Sequence, residues 1–260
     1  MRRAAILLCL AVVLSSCATP DFRLTPRFAA GEVREYRLVA DAVVRINAAA
    51  TSQVERSRLI ATTRLDVESI TAGVTTILLT ITPRSLTRDG KAADLPAEQQ
   101  VRMKVGADGR VTEVSPVGGQ APTLEASDVE DLVPLIGPPL PPGRVHLADR
   151  WTRRSTGTQS GTQAARLASL RHIDDYDCAI VATSTRRPVT RERELGGSTL
   201  RLEGVEFASG EIAFAFRQGF PVSVRSDAEA RLAVSGAGAS GGGVVITTKT
   251  ALTLTRRTTR

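Results

Sequence analysis

Three cysteines, two histidines and one tight group of aspartates are the side chains whose chemistry could reach beyond packing. A cysteine attacks as thiolate, and the charge of neighbouring Asp177 opposes ionisation of Cys178. Cys178 is therefore expected as a small apolar residue in a strand. His146 and His172 are the only imidazoles, and both read as surface or edge residues. Zinc asks for about four ligands, mostly Cys or His, which this set does not supply. Asp174, Asp175 and Asp177 surround Tyr176 and could offer oxygens to calcium, but the further ligands and downstream glutamate of an EF-hand loop are missing. A polar hairpin turn is the expectation there. No G-x-S-x-G elbow or dinucleotide fingerprint stands in a strand-to-helix setting, and no phosphate loop occurs. No catalytic residue, metal ligand or cofactor is assigned, and the chain is expected not to be an enzyme.

Cys17 has a different setting. Arg2 and Arg3 precede an apolar run from Ala4 to Leu14, which ends on Ser15, Ser16 and Cys17. A basic start, a short apolar stretch and small residues form a secretory signal pattern. The run is about half of the roughly 20 residues that a spanning helix needs. Leu14-Ser15-Ser16-Cys17 resembles the bacterial lipobox. That resemblance implies cleavage before Cys17, acylation of its thiol and attachment to the membrane through the N-terminal lipid. Burial of acyl chains contributes about 0.8 kcal/mol per CH₂, so two or more chains hold stably. Ala18, rather than aspartate, follows Cys17. The resemblance to bacterial lipoproteins then implies the periplasmic face of the outer membrane in a Gram-negative cell, or the outer face of the cytoplasmic membrane in a Gram-positive one. Cys9 would leave with the signal and Cys17 would be acylated. Cys178 would then be the one free thiol, which allows no internal disulfide.

The formal charge is +7, with a pI near 10.1. Loss of Arg2 and Arg3 would lower the charge to +5. Lysine occurs only at 91, 104 and 249, so the positive charge is almost all arginine. Nucleic acid is not expected as a partner, because secretion removes the chain from it and no aromatics interleave the arginines. An anionic envelope polymer is the partner that the charge would suit. Aromatic content of 3% means that the core must be built from Val, Leu, Ile and Ala.

The positioning elements are strands. Tyr36, Leu38, Ala40, Ala42, Val44 and Ile46 fall at every second position, the signature of a half-buried strand. The pattern resumes at Leu59–Val67, Ile77–Ile81, Val101–Val105, Ile212–Phe216 and Ala228–Val234. Asp108-Gly109 and Gln218-Gly219 mark hairpins, and the Gly236–Gly243 stretch is expected to join the last two antiparallel strands. Ten to twelve strands are predicted, with a short helix near Ser127–Ile136, where a capping box precedes Val129, Leu132, Val133 and Ile136. Pro134 keeps that helix short. The fold class is all-β or nearly so: large curved antiparallel sheets built from two similar halves.

Five regions follow: a signal at 1–16, a lipidated tether at 17–30, a first β-rich half at 31–120, a helix and proline-rich connector at 121–146, and a second half at 147–260. Three landmarks recur in order in the two halves, which suggests a degenerate duplication: Tyr36 and Trp151, the turns before Ile77 and Ile180, and the two hairpins.

The Gly31…Tyr36 opening, the proline-rich link into Asp149-Arg150-Trp151 and the Gly210–Val222 hairpin resemble a group of uncharacterised bacterial lipoproteins with two β-rich halves. More distantly, the arrangement is similar to half-barrel envelope lipoproteins of the lipoprotein-carrier and lipid-transfer type. There a curved sheet holds acyl chains in its concave face, partly closed by helices. This chain departs from them in having at most one short helix and few aromatics. Two functions follow for a lipid-anchored envelope protein. The first is a binding or scaffold module for another envelope protein. The second is a carrier of an apolar acyl ligand in a groove whose candidate residues are Tyr36, Leu79, Trp151 and Phe214.

Overall fold

The computed structural model describes residues 21–48, 51–117, 139–154, 161–195, 198–236 and 242–259. The helix expected near 127–136 and the residues around Cys17 lie outside them. Among the described residues every regular element is a strand. In chain order these are β1 (Phe22–Arg23), β2 (Val33–Ala48), β3 (Thr51–Thr71), β4 (Val74–Arg88), β5 (Lys91–Ala92), β6 (Gln99–Gly106) and β7 (Val111–Pro116). They continue as β8 (Arg144–Val145), β9 (Arg150–Arg154), β10 (Thr162–Ile173), β11 (Tyr176–Leu195), β12 (Ser198–Ala215), β13 (Phe220–Gly236) and β14 (Gly242–Thr258).

Twelve strands form one antiparallel sheet in the order β7-β6-β4-β3-β2-β14-β13-β12-β11-β10-β9, with β5 beside β4. β1 and β8 make a separate two-stranded ribbon. The first half of the chain is a meander that runs outward from β2 to β7. The second half runs inward from β9 to β14, whose pairing with β2 joins the halves at the sheet centre. The large curved antiparallel sheets expected from the sequence are thus one continuous sheet.

The turns explain the order. Ala72 and Gly73 between β3 and β4, and Asp89 and Gly90 between β4 and β5, all have positive φ, as a two-residue hairpin requires. The turn before Tyr176 occupies the same step of the second meander, between β10 and β11. The hairpins at Gly109 and Gly219 likewise connect β6 to β7 and β12 to β13. The glycine-rich stretch does join β13 to β14, and Val234 faces Gly242 across it.

One face of the sheet carries the main core. Leu167, Val181, Ile212, Val224, Leu252 and Leu38 stand opposite one another in sequence across six strands, and all are 4% exposed or less. Val101, Met103 and Val105 of β6 belong to the same packed cluster as Ala165 and Leu167 of β10, although these strands lie near opposite ends of the sheet order. The sheet is therefore curled with this face inward. An ion pair bridges its two edge regions: Arg153 of β9 lies 3.6 Å from Asp108 in the β6–β7 turn. Bulges in the β10–β11, β12–β13 and β14–β2 ladders add the local twist that such curling needs.

The curled end is filled by segments that the sequence pattern did not place in the core. Leu24, Leu140 and Val145 are buried in the main cluster, with Phe22 and Phe28 packed against it. Residues 21–30 were expected to be tether. Instead the Arg27 N–H donates to Gly219 O at 2.9 Å, and the Pro26 ring lies against Gly109. The next residues carry a buried ionic clamp. Arg34 donates to both carboxylate oxygens of Glu32 at 3.0 and 2.9 Å and to Arg27 O at 2.5 Å. Its guanidinium lies over the rings of Phe28 and Phe220, at 5.0 and 4.7 Å from their centroids. Arg257, near the end of β14, donates to Glu32 at 2.6 Å. The clamp ties the start of β2 to the end of β14 and the β12–β13 hairpin.

Candidate functional site

Tyr36, Leu79, Trp151 and Phe214 come together in the inner-face cluster, but as packed core. Tyr36, Leu79 and Phe214 are 2% exposed or less. The Tyr36 hydroxyl donates to Pro221 O at 3.1 Å, and burial pushes its pKa up to about 12. The Trp151 indole N–H donates to Pro139 O at 2.7 Å and so holds the connector against β9. Tyr36, Leu79 and Phe214 are closed to a ligand, whereas Trp151 is half-buried; the open part of the inner face lies further along the strands.

There the side chains become small. One step beyond the large apolar row, Ala165, Thr183, Gly210, Ser226, Thr250 and Ala40 face one another in turn, ending at Leu59. In the next row stand Gln163, Thr185, Ala208, Ala228, Thr248 and Ala42, with Arg153 at one end and Ser57 at the other. Every residue of these two rows except Ala165 is half-buried rather than buried. Beyond them bulk returns: Val189, Ala230, Leu232 and Val244 are buried, with Val44, Leu202, Val234 and Ile246 packed against them. Two rows of small residues therefore form a recessed band between two apolar ridges. The band crosses the sheet from β9 to β3, about 34 Å at the usual strand spacing.

The band has one neutral border. On the open side Arg187 makes a two-pronged contact with Glu206, at 2.9 and 3.0 Å, and both side chains are mostly buried. Removing Glu206 takes this two-pronged partner from a mostly buried guanidinium, so Glu206→Ala is expected to cost up to about 3 kcal/mol. The midpoint of denaturant unfolding measures this, and an unchanged midpoint would show the pair to be solvated.

The remaining chemical side chains are accounted for by packing or the surface. Cys178 is fully buried, and burial, followed by the charges of Asp177 and Asp174, pushes its thiol up to about 11. A thiol so placed is protonated at neutral pH. His146 lies 3.4 Å from Asp149 and His172 3.1 Å from Asp177, all at exposed positions. Asp174 takes the positive φ of the β10–β11 turn, and Asp177 pairs with Arg217 at 3.0 Å. On the opposite face a shallow hollow of about 630 Å³ is lined by Arg186, Phe207, Asp227 and Lys249 among others. The charges there offset one another, with Lys249 3.7 Å from Asp227, and Arg186 lies over the exposed Phe207 ring.

No family model matches the chain, and no curated protein matches it. Among solved structures, the fold is similar to that of lipovitellin, described for its lipid–protein interactions, with a TM-score of 0.55 and 15% identity. That match covers 90% of this chain and 26% of the lipovitellin chain. The chain thus spans about a quarter of the protein it matches. Two further matches are slight: an outer membrane channel from Pseudomonas putida F1, with a TM-score of 0.29 and 10% identity, and a DUF1329 family protein from Desulfovibrio piger, with 0.17 and 11%. These cover 87% and 95% of this chain, and 97% and 90% of the others. At 15% identity the likeness to lipovitellin is one of fold alone.

Proposed function

We propose that this protein is a non-catalytic carrier of an acyl ligand, held in the bacterial envelope by a lipid on Cys17. The observation that carries this reading is the recessed band of small residues, open between two apolar ridges on the inner face. An apolar sheet face must be covered by something. At the curled end the chain covers it with Leu24, Leu140 and Val145, whereas the band residues other than Ala165 stay only half-buried. An acyl chain supplies apolar volume without the side-chain bulk that the sequence leaves out there. Lipovitellin, with a similar fold, is described for its lipid–protein interactions, which favours the carrier over the scaffold that the sequence alone would rank first.

Two measurements test the two parts. The Cys17→Ser variant, fractionated from cells, should leave the membrane; retention through a high-salt wash would place the anchor elsewhere. The soluble variant, analysed by native mass spectrometry and lipid extraction, should carry a bound acyl species. A ligand-free protein that also fails to take up a fluorescent fatty acid would leave the scaffold reading.

A further inference from the structure

Arg153 lies at the β9 end of the band, and among the described residues its charge is left without a hydrogen-bonded partner. It faces inward, on the same face as Trp151 two residues earlier, and its side chain is 15% exposed. Its ion partner is Asp108, at 3.6 Å, too far for a hydrogen bond. Asp108 is already engaged: Arg110 Nε lies 3.0 Å from the same carboxylate oxygen, and the Arg110 N–H donates to the other at 3.0 Å. Two guanidinium groups thus share one carboxylate, and the less exposed one has the weaker contact. Burial, and then the charge of Arg110, pull Arg153 below the usual guanidinium range, against the opposing pull of Asp108. Half-buried guanidinium groups are ordinarily paired and hydrogen-bonded, because desolvation is costly otherwise.

Resting on the carrier reading, we propose that Arg153 binds the carboxylate of a free fatty acid whose chain lies along the band. The local balance of one positive charge suits a monoanion, and a planar guanidinium fits a carboxylate through two parallel hydrogen bonds. The Ala and Thr side chains from Gln163 to Ala42 then receive the chain, while the head stays at the seam between the sheet edges. Arg110 adds long-range attraction and keeps Asp108 from neutralising Arg153.

The test uses the soluble Cys17→Ser form with cis-parinaric acid and its methyl ester, which share the chain and differ in charge. The acid should bind about tenfold more tightly than the ester, the scale of one charge-assisted hydrogen-bonded pair. High salt should erode that preference. Arg153→Gln should bring the acid down to the ester's affinity and leave the ester unchanged, with circular dichroism confirming the fold. Equal binding of acid and ester by the parent protein would overturn the headgroup assignment while sparing the carrier reading, as would an undiminished preference in Arg153→Gln. Binding of neither probe would sink both. Stronger competition by a lysophosphatidate than by palmitate would overturn the choice of a monoanion.

Discussion

Arg34→Ala is expected to cost the fold about 3–5 kcal/mol, the usual loss when one partner of a buried ion pair is removed. Glu32 is 1% exposed and Arg34 2%. Without Arg34, the Glu32 carboxylate keeps Arg257 and the Ala29 N–H, at 2.6 and 3.1 Å, but loses its two-pronged partner. The Phe28 and Phe220 rings lose the cation between them at the same time. Since whole domains are stable by about 5–15 kcal/mol, the variant should unfold at a much lower denaturant concentration. A change under 1 kcal/mol would mean that the clamp is dispensable.

The same clamp should make the protein acid-sensitive. Burial alone would raise the Glu32 pKa, but the hydrogen bonds and charge of Arg34, with Arg257, hold it below the ordinary value of 4.5. A carboxylate depressed on folding contributes stability above its unfolded pKa, and that contribution is lost as pH falls through the folded pKa. Stability should therefore drop below about pH 4.5, and Glu32→Gln should flatten that part of the curve.

Filling the band should have the other large effect. Ala208→Phe or Ala228→Phe places a ring on the floor between the ridges, in the volume assigned to the ligand. Both positions are only partly buried in the structure, so the ring has an open side and the fold should survive. Uptake of a fluorescent fatty acid should fall at least about tenfold, the scale of 1.4 kcal/mol in binding. Thr247→Phe, on the opposite face of β14, serves as the control and should bind as the parent does. If the band variants bind normally while the Thr247 variant does not, the ligand uses the outer hollow.

Alternation of apolar and polar residues was enough to read the strands and their inward faces, as in the run from Tyr36 to Ile46. It could not reveal the band. Ala40, Ala208, Ala228 and Thr248 look ordinary one strand at a time, and only the register of many antiparallel ladders sets them in line. Selecting groove candidates by size led instead to Tyr36, Leu79 and Phe214, because large apolar side chains contribute most where they are wholly buried. Space for a ligand lies where bulk is missing. Phe22, Leu24 and Phe28 escaped for a different reason: they sit among prolines with no strand period, and they fill the curled end from the two-residue β1 and the irregular chain after it. Arg153 gave no signal within Arg150-Trp151-Thr152-Arg153-Arg154, since its partner Asp108 comes from the far edge of the sheet.

The most direct test of the carrier account is to map where a photoactivatable fatty acid crosslinks to the soluble protein. The account predicts label on inner-face residues of β2, β12, β13 and β14, around Ala42, Ala208, Ala228 and Thr248, and its loss in Ala208→Phe. Label confined to Phe207 and Lys249 on the opposite face, or no specific label at all, would contradict it.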